Sequence, residues 1–288
     1  MRFGAHVSVA AGYDKTIDYL VALEAECAQI FAKSPRQWRG PPPDLEAVGR
    51  FRALRSERFA GPVFTHTAYL INLATDEPVL RERSIAALAD EIARASLLHA
   101  DGVVTHIGTA PDGDAAAAAR RVGEAVARAF ELAGDVWPGT RLLLENTAGG
   151  GTTFGCGFEQ LGESIAASGL GADRLGVCLD TCHAFAYGFA LDTPEGWRSA
   201  VRELDESVGL ERLGLVHAND CMFERGSRRD RHAWIGDGFI GAQGFSAMVC
   251  TPELRSVCAV TEMPGEPPEK DEINLARLRD IRHACDDA

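Results

Sequence analysis

The chain has 288 residues, of which 46% are hydrophobic and 25% charged, with a formal net charge of −13 at pH 7. That length supports one substantial core, the composition excludes a disordered or fibrous chain, and no stretch approaches the roughly 20 apolar residues of a membrane span. The acidic balance taken alone argues against a nucleic-acid partner, because phosphate binding ordinarily rests on a basic surface. In chain order, short apolar or β-branched runs fall at 2–7, 27–32, 62–66, 102–107, 141–146, 174–180, 212–218 and 256–262. Amphipathic stretches lie between them, as at 77–99, where Ile85, Leu88, Ala89, Ile92 and Ala95 recur at helical spacing. Asp44, Thr193 and Asp271 are expected to start helices at 44–57, 194–207 and 271–285. Continuous apolar strands separated by helices indicate a parallel sheet covered on both faces, and eight such units fit a closed (β/α)8 barrel in one domain over 1–288. A doubly wound open sheet is the alternative. The amino terminus, MRFGAHVSVAAGYDK, has no uninterrupted apolar core of signal length, so a cytoplasmic protein is expected. In that compartment the eight cysteines are read as free thiols.

The expected strands end in chemistry. Strand three carries His66 at its end, four His106, five Glu145, six Asp180, seven His217 and eight Glu262. A single histidine at a strand end is ordinarily a core or surface residue. Six successive strands with a metal-capable side chain at the carboxyl end are another matter, because that end is where barrel active sites assemble. His183 follows just after strand six. Asp230 and His232, two apart in an extended loop, point the same way and can reach one ion. The set is five histidines and four carboxylates, a donor mix that suits zinc or manganese better than magnesium.

The segments GAHVS (4–8), RQWR (36–39), H-x-x-YLINL (66–73), ENTAG (145–149), GVCLDTCHAF (176–185), H-x-ND (217–220), DRH (230–232) and G-x-G-x-IG (236–241) resemble the endonuclease IV family of zinc-dependent apurinic/apyrimidinic endonucleases. The resemblance runs in register from Gly4 to Glu262. It implies a (β/α)8 TIM barrel with its active site at the carboxyl ends of the strands and three Zn2+ ions, with Mn2+ possible at some sites. It also implies cleavage of the phosphodiester 5′ to an abasic site in double-stranded DNA, leaving a 3′-hydroxyl, with trimming of blocked 3′ ends as a second activity. Carried over by position, His66, His106 and Glu145 would hold the first metal. Glu145 would bridge to a second held by Asp180, His217 and Glu262, and His183, Asp230 and His232 would hold the third. Cys178 and Cys182, beside these ligands, read as small apolar fillers. Two positions depart from the family, which commonly has aspartate where this chain has Thr67 and proline where it has Ile107.

In this reading Glu145 is the catalytic bridge, since zinc lowers the pKa of bound water to about 7 and no side chain need act as nucleophile. Three divalent ions would offset six of the thirteen net negative charges, and they would outweigh the four site carboxylates. Arg228 and Arg229, with Arg225 and Arg231 nearby, flank the third set and are expected to meet phosphates. Arg36, Tyr69 and Leu70 match the positions that the family inserts into the duplex at the lesion, where a missing base makes unstacking cheap. A monomer acting on nucleoid DNA is expected. The alternatives are a metal-dependent sugar isomerase or epimerase on a similar barrel, which has no need of the Asp230/His232 loop, and a non-enzymatic metal- or DNA-binding module.

Overall fold

A computed structural model describes residues 1–286. Eight parallel strands close on one another: β1 (Arg2–His6), β2 (Cys27–Phe31), β3 (Val63–His66), β4 (Gly102–His106), β5 (Arg141–Glu145), β6 (Leu175–Asp180), β7 (Leu213–His217) and β10 (Cys258–Thr261), which pairs with both β7 and β1. A short antiparallel hairpin, β8 (Asp220–Cys221) with β9 (His232–Ala233), stands outside the barrel after β7. Each of the eight apolar runs read from the sequence is a barrel strand.

The helices form the outer layer: α1 (Tyr13–Ala22), α2 (Leu45–Arg58), α3 (Pro78–Leu98), α4 (Ala115–Ala133), α5 (Phe158–Ser168), α6 (Thr181–Tyr187), α7 (Pro194–Ser207), α8 (Gly241–Cys250) and α9 (Glu269–Asp286). Asp44 and Thr193 start α2 and α7 as expected, their side chains accepting from backbone N–H groups of the first turn. Asp271 does not start α9. The helix begins two residues earlier, and the Asp271 carboxylate is buried, accepting a hydrogen bond from Tyr19 Oη at 2.8 Å. A second correction concerns the thiols. Cys250 at the end of α8 and Cys285 in α9 form a disulfide across 35 residues, and the other six cysteines are free and buried.

Inside the barrel, one apolar cluster is built from Cys27, Phe64, Val104, Leu143, Cys178, Leu215, Cys258 and Val260. Strand side chains alternate faces, so the next inward position is always two residues further along. From Phe64 that step leads to His66, from Val104 to His106, from Leu143 to Glu145, from Cys178 to Asp180, from Leu215 to His217 and from Val260 to Glu262. The apolar layer is thus the floor of the site. The same step from Cys27 leads to Gln29, and His6 is the inward residue at the end of β1.

Candidate metal centre

The polar layer above the floor forms one connected network. Glu145 is buried at its centre, with Oε2 lying 3.2 Å from His66 Nε2 and 3.5 Å from His106 Nε2. Its Oε1 lies 3.0 Å from His217 Nδ1 and 3.5 Å from His183 Nδ1. His217 Nδ1 is also 3.2 Å from Glu262 Oε2 and 3.8 Å from Asp180 Oδ2. Asp230 reaches in from the loop before β9, with Oδ2 3.2 Å from His183 Nε2 and Oδ1 3.3 Å from His232 Nε2. The donor atoms gather into groups lying within 4.8 Å of one another: His66, His106 and Glu145; Glu145, Asp180, His217 and Glu262; His183, Asp230 and His232.

Local backbone geometry explains the D-T-C-H spacing at 180–183. Asp180 ends β6 and is also the N-cap of α6, its Oδ1 accepting from His183 N at 2.8 Å. A cap and the residue three positions later lie on the same side of the first turn. The Asp180 backbone is itself held, its N donating to Asn146 Oδ1 at 2.7 Å and its carbonyl accepting from Asn146 Nδ2 at 3.1 Å.

The imidazole protons are assigned by their partners. His66 Nδ1 lies 2.8 Å from the Thr67 carbonyl, His183 Nδ1 2.9 Å from that of Asn146, and His232 Nδ1 3.0 Å from that of Glu262. A carbonyl oxygen only accepts, so in each ring Nδ1 carries the proton and Nε2 presents its lone pair to a carboxylate. Two acceptors do not sit face to face at such distances unless a proton or a cation lies between them. His232 Nε2 is a buried nitrogen that faces the Asp230 carboxylate at 3.3 Å. The residues therefore fit divalent ions, as does the all-nitrogen-and-oxygen donor set. Electrostatics point the same way: burial works against the charged carboxylates, yet His106 and His217 hold Glu145, and His217 and His6 hold Glu262, well below the usual range.

The two cysteines of the motif differ. Cys178 faces the barrel interior, and burial pushes its thiol up to about 12. Cys182 Sγ does come near Asp180 and His232. Its hydrogen bond with Cys221 and its burial push it up still further, and it donates to the Arg231 carbonyl at 3.6 Å. In this structure the Cys182 proton is committed to the Arg231 carbonyl.

At the two departures, Thr67 and Ile107, backbone carbonyls tie the site together. The Thr67 carbonyl orients His66, while its hydroxyl donates to Thr105 Oγ1 at 2.9 Å. The Ile107 carbonyl accepts from Leu73 N and Ala74 N, both at 3.0 Å, and so holds the end of the YLINL segment. Gly108 beside it has φ +99°, and a Cβ there would collide with Asn72 of that segment.

Three contributors to this layer were not named from the sequence. His6 Nδ1 lies 2.9 Å from Glu262 Oε1. Gln29 contacts His6, His217 and Glu262. Asn219 donates to Asp180 Oδ2 at 2.7 Å and accepts from Glu262 N at 2.8 Å. The inward alternation of β1 and β2 would have found the first two, and the H-x-ND motif contains the third. Its Asp220 is buried and accepts from Gly236, Gly238, Ile240 and Gly241 N–H groups, which ties that motif to the G-x-G-x-IG loop.

A cavity of about 1000 Å³ opens onto this layer and is lined by His6, His66, His106, Glu145, His183 and Glu262 among others. Tyr69 stands on its rim, 59% exposed, with its ring 5.6 Å from that of His66. Leu70, 37% exposed, follows it, and Arg36 is exposed on the neighbouring loop, where Pro35 accepts from Tyr69 N at 3.2 Å. Arg228 is exposed in the hairpin loop, donates to the Gly149 carbonyl at 3.2 Å and lies over Tyr187. Arg229 stacks 3.6 Å over Phe223. Arg225 is drawn toward Asp192, and Arg231 donates to the Asp230 carbonyl.

The family described as Xylose isomerase-like TIM barrel matches residues 17–281. Full-length relatives narrow this. A protein of Chloroflexus aurantiacus named "Probable endonuclease 4" is 41% identical over 281 residues, covering 97% of this chain and 98% of its own length. The chain belongs to the endonuclease IV family. A Methanoculleus marisnigri relative of the same name is 39% identical over 98% of this chain and 99% of its own. The crystal structure of endonuclease IV from Thermus thermophilus superposes with a TM-score of 0.85 at 38% identity, covering 99% of this chain and 100% of that one. A D-tagatose 3-epimerase-like protein superposes at 0.75 with 18% identity, a likeness of fold alone.

Proposed function

We propose that this endonuclease hydrolyses the phosphodiester 5′ to abasic sites in double-stranded DNA, leaving a 3′-hydroxyl, and trims blocked 3′ ends at the same site. The observation that carries the reading is the gathering of nine nitrogen- and oxygen-donor residues into three neighbouring sets, two of them sharing Glu145, at the mouth of the barrel and beside an exposed Tyr69–Leu70 pair. His66, His106 and Glu145 would hold one zinc ion, Glu145, Asp180, His217 and Glu262 a second, and His183, Asp230 and His232 a third, with manganese able to replace zinc at some positions. Zinc there supplies Lewis acidity toward phosphate oxygens and makes water nucleophilic at neutral pH.

The chain's own groups prepare the rest. Glu145 joins two donor sets and fixes their spacing. The backbone carbonyls of Thr67, Asn146 and Glu262 keep three rings in the tautomer that offers Nε2 to the site. The cavity wall against its ring, then the charges of Glu262 and Glu145, push the Tyr69 phenol up, so it stays protonated at neutral pH. Tyr69 and Leu70 enter the duplex where a base is missing, Arg36 follows them, and Arg228 and Arg229 hold backbone phosphates. The protein works as a monomer on nucleoid DNA in the cytoplasm. Among the described residues no helix is long and apolar enough to cross a membrane.

The test is incision of a duplex carrying one tetrahydrofuran abasic analogue, with undamaged duplex and a panel of ketoses and aldoses as controls. Expected are a single cut 5′ to the lesion with an extendable 3′ end, about three metal ions per chain by elemental analysis, and loss of cutting in a folded Glu145→Gln variant. Sugar interconversion without incision, or normal cutting by Glu145→Gln, would overturn the proposal.

A further inference from the structure

Gln29 is fully buried at the inward position of β2, and its amide touches two members of one donor set. Nε2 lies 2.8 Å from Glu262 Oε1 and 3.0 Å from His6 Nδ1, while Oε1 lies 2.9 Å from His217 Nε2. Chemistry fixes which end is which. An ionised carboxylate only accepts, so the NH2 group must face Glu262 and the carbonyl oxygen must face His217. That oxygen also only accepts, so His217 Nε2 carries a proton. In the neutral ring the lone pair is then on Nδ1, the atom 3.0 Å from Glu145 Oε1 and 3.2 Å from Glu262 Oε2. His66, His183 and His232 present Nε2 with Nδ1 tied to a carbonyl. His217 is reversed, and its outer nitrogen meets the Gln29 side chain where the other three rings meet backbone.

We propose that Gln29 is a positioning residue for the second donor set: its one amide selects the Nδ1-presenting tautomer of His217 and holds Glu262 in place beside it. The inference rests on the assignment of Glu145, Asp180, His217 and Glu262 to one ion. On the barrel floor, Leu215 below His217 cannot hydrogen bond, and the Cys178 thiol beside the ring does not reach Glu262 as the Gln29 amide does. Hydrogen-bond partners on the outer nitrogen of a metal-binding imidazole typically change metal affinity by about 10–100-fold.

Two measurements on the zinc-loaded full-length protein test it. Long-range nitrogen–proton NMR on 15N-histidine-labelled wild type should show His217 with its proton on Nε2 and a zinc-dependent shift at Nδ1. Chelator competition on Gln29→Leu, close in size but unable to hydrogen bond, should release one ion roughly 10–100-fold more readily while the others keep their wild-type release. A His217 that carries its proton on Nδ1 overturns the proposal, as does a folded Gln29→Leu protein that keeps every ion at wild-type affinity. A wild-type His217 that does not respond to zinc at either nitrogen instead removes the donor-set assignment, and the Gln29 role falls with it.

Discussion

In the third donor set a metal ion and two protons compete for the same rings. Burial works against a charge on His232, but the hydrogen bond with Asp230 and the fields of Asp180 and Glu262 prevail and raise it to about 9. His183 is likewise raised against its burial, by Asp180 and by its bond to Asp230. Asp230 itself is driven far down, its partial burial outweighed by hydrogen bonds from those two rings. At neutral pH the metal-free protein therefore carries protons that a metal must displace. The sign follows from linkage: in the metal-free protein a raised histidine stabilises the fold fully below its ordinary pKa, and that stabilisation is lost as pH rises through the raised value. Metal affinity moves the other way. Apparent zinc affinity of this set should rise close to tenfold per pH unit for each displaced proton, from about pH 6.5 until it levels near 9 for His232. Competition titrations with a chelator of known pH dependence would measure it, and a flat profile over that range would mean the rings are already neutral.

Two loops that border the cavity are fastened to one helix. Lys33, just past β2, has its buried ammonium 2.6 Å from Asp90 Oδ2 and 3.5 Å from Glu91 Oε1 on α3, and it donates to the Trp38 carbonyl at 3.2 Å. Glu91 Oε1 also accepts from Ala68 N at 3.1 Å, immediately before Tyr69. The arginine-bearing loop at 34–40 and the Tyr69–Leu70 loop thus share an anchor. Lys33→Met leaves Glu91 buried without its cation, and since burial already pushes that carboxyl up, it would take a proton. The expected cost is roughly 3 kcal/mol of stability, with weaker binding of abasic duplex and unchanged metal content. Denaturant midpoints and elemental analysis decide it, and loss of metal would show that the anchor acts on the donors themselves. The disulfide between α8 and α9 is a second tie. Its loop-closure ceiling is about 4 kcal/mol, but α9 is also held by Arg282 to Glu26 and by Asn274 to Ile235 N. Cys285→Ser should therefore lose several degrees of Tm, and reduced wild type should match it. Equal Tm for oxidised wild type and variant would mean the bond contributes nothing.

The barrel was legible because a parallel strand covered on both faces is written as an unbroken apolar run, and six of the eight runs here carry at their ends a metal-capable residue that the fold turns inward. What escaped depends on partners far along the chain. His6 and Gln29 meet Glu262 across 256 and 233 residues, Asp271 serves Tyr19 instead of capping its helix, and Cys250 finds Cys285 only once α8 and α9 are side by side. Net charge, a property of the whole molecule, misleads in the same way, since −13 summed over the surface says nothing of where the positive groups stand. Arg228 and Arg229 are braced on Tyr187 and Phe223 beside the third donor set, and Tyr69 and Leu70 are large apolar groups left exposed at the rim. Binding to phosphates carries no information about damage, whereas an inserted side chain gains packing only where the helix opens. Replacing Tyr69 and Leu70 by alanine should therefore weaken binding to abasic duplex far more than to intact duplex. Replacing Arg228 and Arg229 should weaken both alike and reduce the salt slope by about one for each phosphate no longer neutralised. Binding titrations at several salt concentrations separate the two roles: equal losses on both duplexes for the Tyr69/Leu70 variant would end the insertion account, and an unchanged salt slope for the arginine variant would return that loop to solvent.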